Sequence, residues 1–112
     1  VLVVLGEDGR LVGILSERDI VHAMAESGDA VQHLPVSQVM TGKVVTCDVN
    51  DSISGVMERM TQGKFRHMPI LDKDRLAGIV SNRDLLSWHL ATIREHMHQL
   101  EASFAELDLM RL

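Results

Sequence analysis

Large rings are nearly absent from this chain of 112 residues: Phe65, Trp88 and Phe104 are its aromatics, and it has no tyrosine. A core built without rings relies on aliphatic side chains, which suits helices lying on small sheets. Cysteine is reduced to Cys47, so no intramolecular disulfide framework can form, and a lone thiol fits the cytoplasm. Basic residues are in deficit, giving a formal net charge of −5. That excludes DNA or RNA held mainly through phosphates, which needs a basic face. Val1–Leu5 is apolar but far too short to span a bilayer, and no signal-peptide architecture follows it. A Gly-rich phosphate loop and a nucleophile–base pair at motif spacing are both missing, so no catalytic residue is assigned and an enzyme is not expected. Six histidines are present, but His96 and His98 are two apart on a helical stretch and do not share a face, so no metal is assigned.

What is there is a regular succession of short elements. Val1–Leu5 and Arg10–Leu15 read as strands joined by the turn residues Gly6-Glu7-Asp8-Gly9. Ser16 opens a helix to about Glu26, with Ile20, Val21 and Met24 expected to face inward, and Ser27-Gly28-Asp29 closes it. After Pro35 comes a short apolar turn, Val36–Met40, and then a strand over Lys43–Cys47. Asn50 or Asp51 is placed to cap the next helix, where Ile53, Val56, Met57 and Met60 recur at i, i+3, i+4 and i+7 before Gly63. Met68–Leu71 and Arg75–Val80 form a second hairpin around Asp72-Lys73-Asp74, and Ser81 opens a last helix without a breaker to Leu112.

The most specific signal is internal repetition. Arg10–Val21 aligned without gaps on Arg75–Leu86 matches at seven of twelve positions, where unrelated segments would share roughly one. The shared core is Gly13-Ile14-Leu15-Ser16-Glu17-Arg18-Asp19 and Gly78-Ile79-Val80-Ser81-Asn82-Arg83-Asp84. Each Ser-x-x-Asp has the form of a capping box, in which the Ser hydroxyl takes the N3 amide and the acid answers the cap. The same place also offers unpaired amides, a hydroxyl, a carboxylate for sugar hydroxyls and an Arg for phosphate. A capping box needs neither that Arg nor a second copy.

This pattern, Gly-aliphatic-aliphatic-Ser-x-x-Asp given twice, resembles the paired cystathionine-β-synthase (CBS) domains of a Bateman module, as in small stand-alone bacterial CBS-pair proteins. Val36-Ser37-Gln38-Val39-Met40-Thr41, Val44-Val45-Thr46 and Arg66-His67-Met68-Pro69-Ile70 match in order. The resemblance implies an α/β (α+β) tandem fold, with small three-stranded sheets each carrying two helices, plus a long C-terminal helix. It divides the chain into residues 1–34 as the later part of a first motif, 35–42 as linker, 43–90 as a second motif and 91–112 as an extension. The order from Val1 lacks the strand and helix that begin the second motif, so a preceding strand and helix, disordered or cut away, are expected. The resemblance further implies a cleft between the motifs for an adenosine-containing ligand: AMP, ADP, ATP, NAD(H) or S-adenosylmethionine, with no cofactor required. Ser16, Arg18 and Asp19 would share one cleft with Val44, Val45 and Thr46. Ser81, Arg83 and Asp84 would form the other with Arg66 and His67, and Met68 and Pro69 of the same strand are counted with them.

The last helix carries an independent signal. Leu86, Leu90, Ile93, Met97, Leu100, Phe104 and Leu107 are spaced 4, 3, 4, 3, 4, 3, a heptad seam about 30 Å long. A homodimer through this helix is expected. The leading expectation is a dimeric, cytoplasmic energy or metabolite sensor that binds neither nucleic acid nor membrane. The alternatives are a ligand-free dimerisation scaffold and the regulatory part of a larger enzyme or transporter, such as an IMP dehydrogenase.

Overall fold

The computed structural model describes residues 1–110, with side chains to residue 107; Arg111 and Leu112, the end of the expected extension, lie outside the described residues. The chain opens with an antiparallel hairpin, β1 (Leu2–Leu5) and β2 (Leu11–Leu15), in which Leu2 lies opposite Leu15 and Val4 opposite Gly13. Its turn closes through the Gly6 N–H on the Arg10 carbonyl at 2.8 Å, with Gly9 at φ 78°. Helix α1 (Glu17–Ser27) follows, then a 3-10 segment (Gly28–His33) and the short α2 (Val36–Val39).

The second unit is a three-stranded sheet in the order β3-β4-β5: β3 (Cys47–Asp48) parallel to β4 (His67–Asp72), and β4 antiparallel to β5 (Arg75–Ser81). Lys73 and Asp74 both take positive φ, 50° and 67°, the conformation of the two-residue turn whose twist matches paired strands. Helix α3 (Ile53–Gly63) crosses between β3 and β4, and α4 (Asn82–Met110) leaves the end of β5. Cys47, Val56, Met60, Met68 and Leu85 form the buried core, flanked by Ile53, Met57, Phe65, Ile70 and Val80. All of these belong to the second unit.

The hairpin unit has no comparable interior. Ile20, Val21 and Met24, expected to face inward, are 41%, 64% and 53% exposed, because the two-stranded sheet offers no face wide enough to cover them. The expected strand over Lys43–Cys47 is reduced to Cys47–Asp48. Upstream of it, Thr41 pairs with Ile14 of β2 through two main-chain hydrogen bonds of 3.0 and 2.9 Å. The chain between Thr41 and Cys47 is therefore a crossover from one unit to the other. The cap of α3 is Ser52, whose hydroxyl accepts the Gly55 N–H at 3.1 Å, rather than Asn50 or Asp51. Asp51 is engaged elsewhere: it accepts the Asp48 N–H at 2.8 Å and the Arg59 guanidinium at 2.7 Å.

Met68 is wholly buried at the centre of the single substantial core. Met68→Ala leaves a cavity there and should cost about 2–5 kcal/mol, read as a lower urea midpoint at unchanged slope.

Candidate functional site

The main cavity, about 620 Å³, opens where the two units meet. Its walls come from four stretches: the end of β2 with the start of α1 (Ile14, Ser16–Asp19), the crossover (Thr41, Lys43–Val45), the segment Gly63–His67, and Val1.

The start of α1 forms the full capping box. The Asp19 N–H donates to Ser16 Oγ at 3.2 Å, and the Ser16 N–H and hydroxyl donate to Asp19 Oδ2 at 2.8 and 3.0 Å. The other carboxylate oxygen, Oδ1, accepts the Thr41 hydroxyl at 2.9 Å. Partial burial pushes the Asp19 carboxyl upward, but the Ser16 amide, the two hydroxyls and nearby His22 outweigh it and hold it below its ordinary value of 3.8. With three of about four acceptor positions used, Asp19 keeps capacity for one further donor.

Gly13 sets the approach of the crossover to β2. A Cβ there would fall on Met40 Sδ, so the absent side chain at Gly13 is what lets the Met40 thioether lie against the strand next to the Thr41–Ile14 bridge. On the far side of the cavity, Gly63 has the same role, because a Cβ would enter the ring of Phe65. Lys64 takes the left-handed conformation at the end of α3, φ 57°. The crossover's other end is fixed by Arg59, which donates to the Thr46 carbonyl at 3.1 Å while pairing with Asp51.

Of the residues singled out from sequence, Ser16, Arg18, Asp19, Val44, Val45, Arg66 and His67 line this one cavity. Arg66 and His67 were expected in the opposite cleft with Ser81, Arg83 and Asp84. Those three line neither described cavity. Thr46 turns its carbonyl to Arg59 and lies outside the lining, and Met68 and Pro69 are buried in the sheet. The second motif keeps the bond from the Asp84 N–H to Ser81 Oγ at 3.1 Å. Its helix start is tied to the sheet instead through the Asn82 N–H on the Arg66 carbonyl at 2.8 Å. A smaller cavity of about 380 Å³ lies there, between Met57, Met60, Phe65, Arg66, Asn82 and Leu86. Sequence reasoning missed Thr41, Lys43 and Lys64 as lining residues. The signal for Thr41 was available, since it ends the stretch that precedes the second repeat.

Comparison with known proteins agrees with this architecture. A family model described as the CBS domain matches residues 1–26 and 36–91. The CBS domain-containing protein YhcV of Bacillus subtilis is 38% identical over 79 residues, covering 70% of this chain and 56% of its own length. The chain spans about half or less of the length of such curated relatives. Among solved structures, a CBS-domain containing protein of Agrobacterium tumefaciens is 43% identical with a TM-score of 0.73, over 79% of this chain and 70% of that one. The CBS domain pair of protein MJ0100, in complex with 5-methylthioadenosine and S-adenosyl-L-methionine, is 26% identical with a TM-score of 0.68, over 81% and 70% of the two chains.

The lowered Asp19 value makes a pH prediction. Stabilisation from this carboxylate is fully present above its unfolded pKa, about 3.9, and is lost as pH falls through the lower folded value. Asp19→Asn should melt a few degrees below the parent at pH 7, and the gap should close as pH is lowered below about 4, measured by circular dichroism.

Proposed function

Because the chain belongs to the CBS-domain family, we propose that it is a regulatory module that binds an adenosine-containing ligand in the cavity between its two units. The observation that carries this reading is the convergence of Asp19, Thr41 and the Val44–Val45 crossover on one cavity of about 620 Å³, with a volume suited to a nucleotide-sized ligand. Asp19, already oriented by Ser16 and Thr41, accepts a ribose hydroxyl on its remaining lone pair. Thr41 donates to Asp19 and retains its own lone pairs for the second hydroxyl. Val44 and Val45, outside any strand, have backbone groups not committed to a ladder and offer them to an adenine edge. Arg18 and Arg66 reach for phosphate, Ser16 holds the carboxylate in place, and His67 closes the wall. Ser81 and Asp84 have a capping role in this reading, and Arg83 is given no part in the site. The two ligands of MJ0100 support the chemical class, since both present an adenosine.

The module works by binding rather than catalysis, and as a homodimer. The heptad seam of α4 is laid bare along the helix: Leu86, Leu90, Ile93, Met97, Leu100, Phe104 and Leu107 are all exposed. Only the first turns pack inward, through Leu85. A second copy of the helix would cover such a stripe in register. No helix among the described residues is long and apolar enough to cross a membrane, and the buried thiol Cys47 suits the reducing cytoplasm we assign.

Two measurements test this. In a thermal-shift screen, an adenosine compound at a hundred times its dissociation constant should stabilise the fold by about 2.7 kcal/mol. Asp19→Ala should weaken that binding about tenfold to a hundredfold; unchanged affinity would remove Asp19 from the site. In sedimentation equilibrium at micromolar concentration the protein should have dimer mass, and Ile93→Lys with Met97→Lys should give a monomer. A monomeric parent would discard the helix interface.

A further inference from the structure

The charge inside the cavity is opposite to that of the chain. Arg18, Lys43, Lys64 and Arg66 all line it, against two carboxylates, Glu17 and Asp19, although the whole chain carries a net charge of −5. Among the described residues none of these four cations forms an ion pair; the Arg pairs present are Arg10 with Asp8 and Arg59 with Asp51. Asp19, ionised and held by Ser16 and Thr41, and Glu17 offset two of the four, so the lining keeps an excess of two positive charges.

The four come from three stretches of chain: Arg18 from the first turn of α1, Lys43 from the crossover, Lys64 and Arg66 from the link between α3 and β4. Convergence of like charges from distant positions repels in the empty protein, and a polyanion bound among them relieves that repulsion. Lys64 has a further peculiarity, a left-handed backbone at φ 57° where glycine or asparagine is the usual choice. Keeping a lysine there retains a cation at the cavity wall.

We propose that the cavity selects an adenosine polyphosphate, a di- or triphosphate, over adenosine compounds without a phosphate chain, and that Lys43 and Lys64 set this preference. The proposal rests on the adenosine reading above and adds the charge class of the ligand. Arg18 and Arg66 act as forked donors and the two lysines as mobile point charges along the chain of phosphates. A cationic sulfonium such as S-adenosylmethionine meets the same four charges as repulsion.

The test is calorimetric titration, without divalent metal, of adenosine, AMP, ADP, ATP, GTP, 5-methylthioadenosine and S-adenosylmethionine into the intact protein. Affinity should rise from adenosine to ATP by about a hundredfold, given charge-assisted contacts to successive phosphates, and the gain should shrink as salt screens it. In a variant with Lys43→Ala and Lys64→Asn, the latter keeping a residue that tolerates positive φ, the ratio of ATP to adenosine affinity should fall by about tenfold. A flat series, or S-adenosylmethionine matching ATP, would overturn the polyphosphate assignment and leave the adenosine reading standing. GTP matching ATP would do the reverse. Binding by none of them would remove both.

Discussion

Two main-chain hydrogen bonds between Ile14 and Thr41 hold the candidate site together. They fasten the start of the crossover to β2 of the hairpin unit, and by doing so bring the Thr41 hydroxyl onto Asp19. At the other end Arg59 fastens Thr46. Between these anchors the crossover passes the cavity without joining a sheet, so its backbone is free for recognition rather than spent on a ladder. Beside it Gly13 leaves room for the Met40 side chain, which a Cβ would displace. A cavity wall made of loop is thus positioned by a strand, a glycine and an arginine, none of which needs to touch a ligand.

The two copies of the repeated motif show how context divides identical sequence. Ser16 and Asp19 answer each other fully, and Asp19 then reaches Thr41. Ser81 holds the Asp84 amide, but the start of its helix is bound to Arg66, just ahead of the neighbouring strand β4. Capping and ligand recognition are not competing explanations at Asp19, since the box fixes the carboxylate and leaves one acceptor position unused. At Asp84 the capping role alone accounts for the bonds formed.

Much of the fold was legible because it is carried by local rules. Helical spacing found α3 and α4, turn chemistry found both hairpins, and repetition found the relation between the units. The misses have non-local causes. Lys43–Cys47 reads as a strand by composition, yet the chain just before it is held by a partner 27 residues earlier, through Thr41 and Ile14. Ile20, Val21 and Met24 have the periodicity of a buried face, but periodicity reports which side of a helix is apolar, not whether anything lies against it. The resemblance implies Arg66 and His67 for the opposite cleft, and the structure sets both on the wall of the cavity that holds Asp19, with Arg66 also bordering the smaller one. Their placement beside Asp19 follows from the turn at Gly63 and Lys64, where Phe65 packs against a residue that has no side chain. That turn is a matter of shape, and no charge or hydropathy pattern announces it.

Arg66 occupies both ends of a mechanical linkage. Its side chain borders the cavity between the units, and its carbonyl holds the Asn82 amide at the root of α4. From that root extends a helix of 29 residues, about 43 Å at 1.5 Å per residue. A rigid rod pivoted at one end multiplies angle by length, so a rotation too small to disturb the packing of Leu85 is a displacement of ångströms at Phe104. The sheet edge is the fulcrum, and the far half of α4 is the pointer of the instrument.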